Sequence, residues 1–140
     1  MQQKEILRML IYIIVFVNAF FLNVIIHEIG HYLAADYYEL EPEIEFDFGG
    51  VGDLGFGLES RPIASTNFIA PLNKIELYSI VLMGPLMNLM LGIAVFFIFV
   101  FCKKEIIREV MIICFIISIA SFIMNIVPIS GTDGSLVFGF

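Results

Sequence analysis

Two histidines and a glutamate fall within five consecutive positions of an otherwise apolar run, "VIIHEIGHYLAA", residues 24–35. His27 and His31 are the only histidines in the chain. On a helix, positions four apart lie one above the other, so both imidazoles project from one face and can grip a single ion. Glu28 stands about 100° round the axis, out of line for a third ligand in that plane but able to reach a water held by the ion. The H-E-x-x-H spacing therefore reads as two metal ligands and a general base. The competing reading is a pair of buried histidines satisfied by neighbouring polar groups. Imidazole donors in a tetrahedral site favour Zn²⁺ over harder ions, and an open fourth position marks a catalytic role.

A catalytic zinc needs a third protein ligand, and no histidine is left to supply it. The ligand must be a carboxylate or a cysteine. Cys102 and Cys114 sit in or beside apolar runs without C-x-x-C spacing and read as ordinary small apolar residues. Most acids crowd into residues 36–59 or flank the apolar runs near residues 76, 105 and 109. Asp133 is the exception, lying just beyond the third apolar run in "NIVPISGTDGSLV". Pro128, Gly131 and Gly134 break the backbone there while apolar character persists on both sides, and broken backbone at membrane depth survives only where it is buried in protein or lines a polar cavity. Asp133 is the expected third ligand.

The elements that must position these residues follow from composition. With 60% hydrophobic and 15% charged residues, the 140-residue chain has too little polar surface to coat a globule, and lipid is its natural solvent. The net charge of −7 leaves no basic patch for phosphates and excludes nucleic acid as a partner. Three apolar stretches, 7–35, 75–101 and 106–127, each reach the roughly 20 residues that a helix needs to cross about 30 Å of hydrocarbon. The first follows Lys4 and Arg8 like a secretory signal, but it outruns a signal's length and meets no small-residue cleavage site, so it reads as a retained helix. The expected fold is an α-helical, multi-pass integral membrane protein of about three transmembrane helices, forming a single core over residues 1–140. Its parts are a helix at 5–36, a β-rich loop at 40–72, helices at 75–101 and 106–127, and a broken metal-ligand segment at 125–140. In the loop, "EIEFDF" (43–48) alternates charge and apolar character as a strand does, and "DLGFGLE" (53–59) can return as a second strand, making a small hairpin or sheet between the first two helices. Pro85 starts or kinks the second helix, and Asn88, one turn later, would by itself read as a polar link between helices.

Together, "HEIGH" in the first helix, "GPLMN" (84–88) in the second and "NIVPISGTDG" (125–134), which fits N-x2-P-x4-D-G, resemble the signature elements of the site-2 protease family of intramembrane zinc metalloproteases, in the family's order. The resemblance implies hydrolysis of peptide bonds in transmembrane or juxtamembrane substrate segments, with His27, His31 and Asp133 holding zinc and Glu28 activating the water. It also suggests that Asn88 and Asn125 hold unwound substrate backbone, and that Gly55, Phe56 and Gly57, similar to a short motif in a re-entrant β-loop of some members, present a strand edge to the substrate. The alternative is a non-catalytic zinc-binding membrane module that binds a peptide or partner helix, a role with no need of the Glu28 base. Orientation stays open. Lys4, Arg8, Lys103, Lys104 and Arg108 fall on one side and make it cytoplasmic by the positive-inside rule, whereas the resemblance implies a zinc site nearer the cytosol.

Overall fold

The computed structural model describes residues 3–46, 64–67, 73–129 and 131–138. Its element order is α1 (Gln3–Tyr37), β1 (Glu43–Phe46), β2 (Ala64–Asn67), α2 (Lys74–Phe101), α3 (Glu105–Ile126) and a short α4 (Asp133–Phe138). The first three long helices are each apolar and long enough to cross a membrane. Their ends lie within two residues of the expected helices at 5–36, 75–101 and 106–127. The refinement at the start of α2 is chemical: the Asn73 side chain accepts from the backbone N–H groups of Ile75 and Glu76, at 2.9 and 3.0 Å, and Glu76 returns the favour at the Asn73 N–H. This capping box satisfies the donors a helix start leaves open.

Helix α2 packs against both α1 and α3, and α1 also touches α3. What faces inward is the reverse of a soluble core. The buried residues of α1 are Ala19, Asn23, His27, Glu28, Gly30, His31, Ala34 and Ala35, while Ile13, Ile14, Phe16, Leu22 and Leu33 point outward. Small and polar side chains therefore line the helix contacts, the pattern expected where the surroundings are as apolar as leucine and burial of hydrocarbon gives no drive to associate. At the α1–α2 crossing, a Cβ on Gly30 would come within 2.6 Å of the Met83 carbonyl oxygen, and a Cβ on Gly84 would collide with the rings of both histidines. The two glycines let the backbones approach at the level of the histidine pair.

Strands β1 and β2 pair antiparallel, with Glu43 opposite Asn67 and Phe46 opposite Ala64, and both strands rest on α1. The expected returning strand at 53–59 lies outside the described residues. Among the described residues β1 pairs with "ASTN", whose weak apolar alternation gave no strand signal. Beyond α3, Val127 caps the helix, Gly131 takes a left-handed φ of 89°, and the Thr132 hydroxyl donates to the carbonyls of Val127 and Ile129. The tight turn folds α4 back against α2 and α3. It carries Asp133 to the helix pair.

Candidate metal centre

His27 and His31 project from one face of α1, as their spacing requires, with their Nε2 atoms 3.0 Å apart. Both are buried, at 8% exposure, as is Glu28 at 7%. From the folded-back turn, Asp133 brings Oδ2 to 2.9 Å from His27 Nε2 and 3.4 Å from His31 Nε2. That oxygen is buried, and no directed hydrogen bond satisfies it. His27, Glu28 and His31 each offer a ligand atom within 4.8 Å of the others, a group able to hold a metal ion.

The two histidines and Glu28 are each held from behind. The His31 Nδ1–H donates to the carbonyl of Ile80 in α2 at 2.8 Å. Because a carbonyl can only accept, this bond fixes the proton on Nδ1 and leaves the Nε2 lone pair facing inward. His27 Nδ1 lies 3.2 Å from the side-chain amide of Asn88, which is 1% exposed. The Thr66 hydroxyl from β2 reaches Glu28, 2.9 Å from Oε2 and 3.2 Å from the backbone carbonyl. A hydroxyl has one proton to give, so these two acceptors share it.

In front of the group lies a cavity of about 310 Å³, lined by the two histidines, Glu28 and Asp133 together with Ser65 and Thr66 of β2, Ile80 and Val81 of α2, and Asn125. Among the described residues, the edge of β2 away from β1 pairs with no further strand. Asn125 lies at the cavity wall, its amide donating to the Ser121 carbonyl at 3.0 Å and leaving its oxygen available. Asn88, expected alongside it as a substrate contact, is instead placed behind His27. Gly55, Phe56 and Gly57 lie outside the described residues.

Sequence reasoning missed Thr66, Gly84 and the Ile80 carbonyl. A lone threonine in a polar loop and a backbone carbonyl carry no spacing signal. Gly84 sat in plain view beside Pro85, but only the crossing of α1 and α2 shows why a side chain is forbidden there. No family model, curated protein or solved structure matches the chain.

Proposed function

We propose that this chain is a multi-pass intramembrane zinc metalloprotease that hydrolyses peptide bonds of transmembrane or juxtamembrane substrate segments, as its motifs resemble those of the site-2 protease family. The observation that carries the reading is the convergence of His27 Nε2, His31 Nε2 and Asp133 Oδ2, separated by 3.0, 2.9 and 3.4 Å, with Glu28 alongside. Bonds of about 2.0–2.1 Å at tetrahedral angles place ligand atoms roughly 3.3 Å apart, so the donor set fits zinc with little adjustment. Two imidazole nitrogens and a carboxylate oxygen without a hydrogen bond, gathered at one buried point, suit a cation between them. The exposed apolar helix faces match a lipid surrounding.

Zinc bound by these three residues would supply Lewis acidity, acidifying a water and polarising a carbonyl. Glu28 takes the proton from the attacking water as its oxygen bonds to the carbonyl carbon. The same carboxyl then passes that proton to the amide nitrogen as the carbon–nitrogen bond breaks, so no covalent adduct with the protein forms. Thr66 holds the Glu28 carboxylate towards the cavity. A helical substrate hides its peptide bonds in internal hydrogen bonds and must unwind first. The edge of β2 away from β1, which pairs with no strand among the described residues, offers replacement backbone hydrogen bonds by strand addition at the cavity wall. The Asn125 amide oxygen can accept a substrate N–H.

The test is Glu28→Gln in the detergent-solubilised chain, with zinc measured by elemental analysis and cleavage measured on a membrane-segment substrate panel. Wild-type zinc content with cleavage lowered about a hundredfold or more is expected, the scale of a lost general base. Equal cleavage by both proteins would defeat the enzyme reading and leave a binding module.

A further inference from the structure

We propose that Asn88 is the positioning residue that sets the tautomer of His27, its side-chain oxygen accepting the Nδ1–H so that Nε2 presents a lone pair to the metal. The inference rests on the metal-centre reading above, though not on the protease activity.

The two histidines face different backing groups. His31 meets a backbone carbonyl, which leaves no choice of tautomer. His27 meets a side-chain amide, which can present either an acceptor or a donor. In the structure, Nδ2 faces His27 Nδ1, and Oδ1 is buried without a partner. With the amide turned that way, the His27 proton must sit on Nε2, the atom 2.9 Å from Asp133 Oδ2, where it blocks ligation. Turning the amide by a half rotation exchanges the two atoms without changing the shape of the side chain. Oδ1 then accepts from Nδ1–H, the orphaned oxygen gains a partner, and both imidazoles offer Nε2 to the same point. Only this second arrangement is compatible with three ligands. Metal-ligating histidines depend on such an acceptor behind them for orientation and basicity. The burial of Asn88, at 1% exposure, leaves water no access to substitute for it.

The experiment uses the full chain in detergent, labelled with ¹⁵N-histidine, which gives only two side chains to assign. Zinc affinity is measured by competition with a chromophoric chelator, and the histidine tautomers are read from ¹⁵N chemical shifts and long-range proton couplings. In the zinc-loaded wild type, both histidines are expected to be Nδ1–H with Nε2 on the metal. Asn88→Leu, which keeps the volume but removes the acceptor, should weaken zinc binding about 10- to 100-fold, the loss typical of an outer partner. Asn88→Asp, which can only accept, should restore affinity to within about threefold of wild type, a rescue that a purely structural amide link between helices would not show. Zinc bound through His27 Nδ1 in the wild type overturns the proposal whether or not any variant folds, and so does a well-folded Asn88→Leu that binds zinc as tightly as the wild type. A wild type that takes up no zinc overturns the metal-centre reading itself and the proposal with it.

Discussion

At the scale of single residues, Asp133 is the group whose placement is least tolerable without an ion. A buried carboxylate oxygen lacking a hydrogen bond costs several kcal/mol. Replacing it by an amide keeps the shape and removes the charge. Asp133→Asn should therefore weaken zinc retention by about a hundredfold or more, exceeding the effect of any outer partner, as measured by chelator competition. Unchanged affinity would remove Asp133 from the ligand set. Thr66 acts one step further out. Thr66→Val leaves the Glu28 carboxylate without its hydroxyl donor, so turnover should fall about tenfold while zinc content is unchanged, and Thr66→Ser should recover it. A loss of zinc in Thr66→Val, or no recovery with serine, would show that the hydroxyl does not act through Glu28.

Among the elements, the crossing of α1 and α2 decides whether the residues above can meet. Exchanging glycine for alanine inside a helix ordinarily stabilises it by about 1 kcal/mol. At Gly84 the added methyl would strike the imidazole of His31 and come within 2.9 Å of His27 Cε1, so the two helices must part. Helix propensity loses to packing here, because overpacking costs about 1–3 kcal/mol and acts on the ligands themselves. Gly84→Ala is expected to retain its helical circular dichroism while zinc stoichiometry drops below half of wild type and thermal stability falls. Normal zinc content would show that the crossing tolerates separation. The far end of the bundle is pinned differently: the Tyr12 hydroxyl and the Arg8 guanidinium of α1 both donate to the Glu109 carboxylate of α3. That cluster ties the first and third helices together away from the centre.

For the whole molecule, the outward display of isoleucine, leucine and phenylalanine from three long helices has one natural solvent. Small and polar residues line the helix contacts from inside, an arrangement suited to an outer surface surrounded by hydrocarbon or detergent. The chain should stay with the membrane pellet through an alkaline carbonate wash and leave it only on addition of detergent; release by carbonate alone would contradict a spanning bundle. The basic residues Lys4, Arg8, Lys103, Lys104 and Arg108 gather at the end of the bundle opposite the metal centre, since α1 enters there and α2 turns into α3 there. If the bundle spans a membrane, the positive-inside rule would put that end on the cytoplasmic side and the candidate centre towards the other. Single cysteines at Lys103 and Glu43 in a background lacking native cysteines would report this: a membrane-impermeant thiol reagent applied from outside should label only the Glu43 position, and the reverse pattern would place the centre on the cytosolic side.

The chain's own order of residues determined the three helices, the histidine pair and its adjacent base, and the break that releases Asp133 from α3. Each of these is local: a run of apolar residues, a spacing of four, a proline and glycines within one turn reveal themselves without knowledge of what lies across from them. What only the tertiary structure decided is who stands opposite whom. Thr66 reaches Glu28 across 38 residues and Asn88 reaches His27 across 61, and neither pairing leaves a periodic trace. The identity of the strand opposite β1 was hidden for the same reason, because "ASTN" earns its place by the backbone partner it meets and not by alternation of its side chains. Convergence of distant groups depends on how closely two helices can approach, and that distance is set by glycines whose significance lies in the side chain they lack.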